Sequence, residues 1–139
     1  MNPMELKLCD IQGRLFENSG KAGYGSEDFI QSFMKSDIAK GMDATFNHYQ
    51  WAGEEYLLDA LSDTIKLNQT GPVYPNEVLY WSGYLYRYWH ILKNISSQKI
   101  IRVAPAKTMN RNYLLFHTLD PESAIDNLIE IYEQKHHKD

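Results

Sequence analysis

Apolar positions recur at helical spacing through most of the chain, and the densest run is residues 77–93, EVLYWSGYLYRYWHILK. Val78, Ser82, Leu85, Trp89 and Leu92 share one side of a helical projection. Tyr80, Tyr84, Arg87 and Ile91 share a second, and Trp81, Tyr86 and Tyr88 cover much of the remainder. A helix that is apolar nearly all round belongs inside its domain. Arg87, His90 and Lys93 make it too polar, and its length too short, for a membrane span. Thr70, Gly71, Pro72 and Pro75 mark a turn before it, with Pro75 suited to the first helical position. Asn94 and the serines that follow mark its end.

The same reading gives the other elements. Residues 1–25 hold four of the eight glycines, Gly13, Gly20, Gly23 and Gly25. They read as an irregular arm in which Leu6, Leu8 and Ile11 form a short strand or dock in extended form. Residues 26–139 read as one helical domain. Ser26 suits a helix cap, with Glu27 and Asp28 at the positive end and Phe29, Ile30, Phe33 and Met34 as the apolar face. Asp37, Ile38, Ala39, Met42 and Phe46 fit a second short helix after a bend. Asn47 and Gln50 have capping-box spacing ahead of a helix through Trp51, Ala52, Tyr56, Leu57, Ala60 and Leu61. Ile100, Ile101 and Val103 would suit a strand. The serines before them suit a helix cap, and a short helix is preferred because no partner strand is evident. Pro105 sets a boundary, and Met109, Tyr113 and Phe116 align on the next helix. Asp120, Pro121 and Glu122 open the last one, and Lys135, His136, His137 and Lys138 close it against the dipole. The expected fold is mainly α: a compact bundle of five or six helices around the central aromatic helix, with room for a minor strand pair.

Composition narrows the picture. A chain of 139 residues is one domain's worth and needs no cross-links to bury a core. The formal net charge of −4 argues against a dedicated phosphate-backbone binder. Cys9 is the single cysteine, so neither an intramolecular disulfide nor a cysteine-cluster metal site can form. The start of the chain does not look like a signal sequence and no apolar 18-mer occurs, so a cytoplasmic location is expected. The histidines lack metal-ligand spacing, and neither a metal nor a cofactor is expected. The unusual quantity is the aromatic content, 13%. The four tyrosines of the central helix, Tyr80, Tyr84, Tyr86 and Tyr88, either fill the domain with their hydroxyls outward or some of them line a groove for a peptide or nucleotide.

Three sets of residues could carry function. Arg87 and His90, at i,i+3, would bind an anion, assist acid–base chemistry with a tyrosine, or pair with carboxylates to hold the helix. Lys99, Arg102, Lys107 and Arg111 would form a nucleic-acid-binding surface if they shared one face. Residues 111–117, RNYLLFH, place an arginine for phosphate binding six residues before a histidine able to act as base or acid. That stretch resembles the Arg, polar, four-residue, His motif of the all-helical HEPN ribonucleases. The resemblance implies a metal-independent ribonuclease using Arg111 and His117, acting as a homodimer. Six residues put the two side chains far apart around an ideal helix, so this reading needs a bend near His117.

A broader resemblance runs over residues 26–132. It is carried by Phe33-Met34, Ala39-Lys40-Gly41, residues 50–57 (QWAGEEYL), residues 80–89 (YWSGYLYRYW) and residues 117–121 (HTLDP). These resemble a family of small bacterial proteins associated with toxin–antitoxin cassettes whose toxin looks like an ADP-ribosyltransferase. The resemblance supplies no catalytic residues. It implies a protein partner, a toxin, engaged through an aromatic surface that includes Trp51, Tyr80, Tyr84, Arg87, Tyr88 and His90. Tyr, Trp and Met suit such interfaces, and the negative charge would complement a basic toxin cleft. The leading expectation is thus a protein-binding, antitoxin-like regulator, with the ribonuclease and the nucleic-acid-binding regulator as alternatives.

Overall fold

The computed structural model describes residues 1–44 and 52–136. These hold eight helices and no strand, in place of five or six helices with a possible strand pair. In chain order they are α1 (Pro3–Lys21), α2 (Ser26–Met34), α3 (Asp37–Asp43), α4 (Glu54–Thr64), α5 (Asn76–Lys93), α6 (Ser97–Val103), α7 (Ala106–Phe116) and α8 (Pro121–His136). Phe46, Asn47, Gln50, Trp51, His137 and Lys138 lie outside the described residues.

The largest correction is at the amino end. The stretch expected to be irregular is the 19-residue helix α1. Its start is a capping box. The Asn2 side chain accepts from the Glu5 amide at 2.9 Å, and Glu5 accepts from the Asn2 amide at 3.0 Å, with Pro3 in the first turn. The glycines that argued against a helix have a packing role. Gly13 and Gly83 face the partner helix where α1 and α5 run antiparallel. A Cβ on Gly83 would stand 2.5 Å from the Gln12 carbonyl oxygen, and one on Gly13 would stand 2.8 Å from the Tyr80 ring. Glycine on both helices therefore sets how closely the backbones approach.

Phe16 of α1 sits at the centre of the core. Its ring meets Phe29, Phe33 and Tyr86 edge-on at centroid separations of 5.5, 5.6 and 6.1 Å. Tyr86 is buried and donates its hydroxyl to the Ala104 carbonyl at 2.6 Å, tying α5 to the end of α6. α2 and α3 are separated by Ser36, whose Oγ donates to Phe33 O at 2.7 Å and accepts from Ala39 N at 3.1 Å. Ser26 does not cap α2 with its side chain. It is the first helical residue, and its Oγ accepts from the Tyr74 amide at 2.8 Å. α4 begins at Glu54 after Gly53, which takes φ 84°, rather than running through Ala52. The later boundaries follow their signals. Asn94 ends α5 in the left-handed region, Ser96 caps α6, α7 starts after Pro105, and Asp120 accepts from the Ser123 amide at 3.0 Å.

Candidate functional site: an aromatic surface on α5 and α7

α5 passes through the middle of the fold, yet one edge of it remains open. Tyr80, Tyr84 and Tyr88 recur every four residues and lie one above another, half-buried, with ring centroids 5.9 and 6.3 Å apart. Tyr80 is fixed by a 2.5 Å bond from its hydroxyl to Asp10 on α1, and Asp10 is held in turn by Arg14 at 3.0 Å. Burial and the neighbouring Asp10 carboxylate push the Tyr80 phenol well above its ordinary range, so it stays a donor. Tyr84 is shifted the same way, chiefly by burial.

Beside this row, α7 brings Tyr113 edge-on against Trp81 at 5.6 Å. His117 stacks on Tyr113 at 4.3 Å, and its Nδ1 lies 2.7 Å from the Tyr113 carbonyl oxygen; it therefore donates there. Glu77, Tyr80, Trp81, Tyr84, Tyr113 and His117 together line a shallow cleft of about 310 Å³. Rings held by stacking and by hydrogen bonds present apolar area at small entropic cost, which is the chemistry of an interface anchor. The cleft offers one carboxylate and one imidazole.

The other sequence-predicted residues fall elsewhere. Arg87 is only 1% exposed. It is paired with Asp43 at 2.6 Å, and its Nε donates to Gln12 at 2.8 Å. Desolvation lowers its pKa, and the Asp43 charge opposes that shift. Asp43 also accepts from the Ser97 amide and hydroxyl at 2.8 and 2.7 Å. His90 joins the same cluster, 3.6 Å from Asp43, with Nδ1 donating to the Ile95 carbonyl at 2.6 Å. Arg87 and His90 thus hold α5 against α1, α3 and α6, and the arginine presents no surface to a ligand. Trp51 lies outside the described residues.

Arg111 and His117 are both exposed, but they line different clefts. Arg111 borders an open cleft of about 590 Å³ with Glu27, Pro72, Tyr74, Pro75, Lys107 and Asn110. α7 continues without a bend through Phe116, so the two side chains do not converge within one chain. Among the described residues, no group of three or more His, Cys, Asp or Glu is placed to hold a metal ion. Also among the described residues, no helix is long and apolar enough to cross a membrane. Trp81, Tyr113 and Glu77 were not among the expected site residues. The signal for Tyr113 was its four-residue spacing from His117. Trp81 stands three residues before Tyr84 and seven before Tyr88 and so shares their side of the helix, but only the fold shows that α7 lies against it. No family model, curated protein or solved structure matches the chain.

Proposed function

We propose that this protein is a protein-binding regulator of the antitoxin type, and that it engages its partner through the aromatic surface of α5 and α7. The observation that carries the reading is the cleft in which Trp81 meets Tyr113 edge-on and His117 stacks on Tyr113, beside the tyrosine row. These side chains are ordered by their own contacts before any partner arrives, and pre-organised aromatic anchors are where binding energy concentrates. The sequence resemblance to proteins of toxin–antitoxin cassettes supplies the class of partner, a toxin encoded beside it. The ribonuclease alternative is less well supported, because its two groups line separate clefts of one chain.

The test is affinity purification of the tagged protein with its neighbouring gene product, comparing wild type with Trp81→Ala. The expected result is a stoichiometric complex whose affinity falls by about tenfold or more in the variant, the loss of an interface hot spot. An unchanged affinity, with circular dichroism showing the variant folded, would contradict the assignment of the surface. Absence of any complex, together with bound RNA that is cleaved, would return the ribonuclease reading to first place.

A further inference from the structure

The net charge of −4 is the sum of two unlike parts. Residues 78–119 hold six of the fourteen cations and none of the eighteen acids. Two of the six are committed: Arg87 is buried against Asp43, and Lys93 pairs with Asp126 at 3.1 Å. Lys107 stands 3.9 Å from Glu27. Lys99, Arg102 and Arg111 are exposed and make no ion pair among the described residues. The cations are thus concentrated on α6 and α7.

α7 itself is unusual. Its outward positions are Lys107, Asn110, Arg111, Leu114 and Leu115, a continuous stripe at helical spacing. The first half is cationic. The second half is two adjacent leucines that are 80% and 70% exposed, the most exposed large hydrophobic side chains in the described chain. The charges also run against the helix dipole: Lys107 stands in the first turn, no acid of α7 shares that turn (its partner Glu27 comes from α2), and no basic residue occupies the last turn. Neither the exposed leucines nor the reversed charge stabilises the free protein. Such local conflicts are expected where a surface is kept for a partner.

We infer that the outward stripe of α7 docks an acidic, amphipathic protein segment, whose apolar side chains cover Leu114 and Leu115 and whose carboxylates meet Lys107 and Arg111. The inference rests on the protein-binding reading above and specifies the partner's chemistry. Charge complementarity selects this occupant. A second copy applied symmetrically through Leu114 and Leu115 would cover the leucines but offer no carboxylate from its own α7 stripe to Lys107 and Arg111. A nucleic acid would satisfy the cations and leave the leucine pair without a counterpart. The expectation that the protein's negative charge complements a basic cleft does not hold for this surface, where the local sign is positive.

Amide-shift titration of the full-length protein tests the inference, with three synthetic helical peptides as probes: Glu/Leu amphipathic, Lys/Leu amphipathic, and Glu/Ser. The Glu/Leu peptide should shift amides of residues 107–118, with an affinity that falls as salt is raised. Its affinity should drop about tenfold in Leu114→Ser/Leu115→Ser and in Lys107→Glu/Arg111→Glu, and the other two peptides should bind at least tenfold more weakly. An equal response to the Lys/Leu peptide, or no shift on α7 with the Glu/Leu peptide, would overturn it. Shifts confined to Tyr80, Trp81, Tyr84 and Tyr88 would overturn it while leaving the protein-binding reading intact. Tighter binding to phosphatidylglycerol vesicles or to a single-stranded RNA than to the Glu/Leu peptide would also overturn it. So would a wild-type dimer in sedimentation that dissociates in Leu114→Ser/Leu115→Ser.

Discussion

Arg87 lies between Gln12, Asp43 and Ser97, almost wholly removed from water. An unpaired charge there would be costly, so each partner matters more than a surface ion pair does. Arg87→Ala should lower stability by about 3–5 kcal/mol, because it strands the Asp43 carboxylate and the Gln12 amide; urea unfolding measures this. The tyrosines make a second prediction. Tyr86, Tyr80 and Tyr74 have phenols raised above 10.0, Tyr74 to about 12, with burial the leading cause in each. Cys9 is pushed from 9.0 to about 12 by burial. A group whose pKa is raised by folding contributes stability that is complete below its unfolded value and is lost as pH rises through the folded one. Stability should therefore be level near neutrality and fall from about pH 9 upward. The part of the tyrosinate absorbance that is missing in Tyr86→Phe should appear together with loss of helical dichroism rather than ahead of it. At this scale the sequence was half legible: Arg87 and His90 were recognised as a pair on one face, but their shared partner is Asp43, 44 residues before Arg87.

Helix boundaries were more readable than helix number. Ser96, Pro105, Asp120 and Pro121 carry their signals locally, and the structure places the boundaries of α6, α7 and α8 at them. The glycines of α1 disguise it in the sequence, because intrinsic propensity sets a penalty of about 1 kcal/mol on each. The α5 contact, invisible in one segment alone, outweighs that penalty. This makes Gly83→Ala informative. Propensity alone predicts a gain. The 2.5 Å approach to the Gln12 carbonyl predicts a net loss of about 1–3 kcal/mol, since backbone must shift to admit the methyl group. Thermal unfolding decides between them. The tyrosine row of α5 was visible as a four-residue repeat, whereas the cleft needed α7 to lie against Trp81.

Across the whole molecule, the fold sorts what the sequence mixes. α5 gives one side to the core and leaves Tyr80, Trp81, Tyr84 and Tyr88 partly open. The acid-free run of residues 78–119 could be seen in the sequence but is hidden by a net charge taken over the full chain. The account's central claim is that a protein partner meets the α5–α7 surface. Site-specific photo-crosslinking in the cells that make the protein tests it most directly, with a benzophenone amino acid at Tyr84 and, as a control, at the exposed Ser62 of α4. The account predicts one discrete crosslinked protein from position 84 that is absent from position 62 and lost when Trp81→Ala is added. Equal crosslinking from both positions, or crosslinks from position 84 to nucleic acid alone, would contradict it.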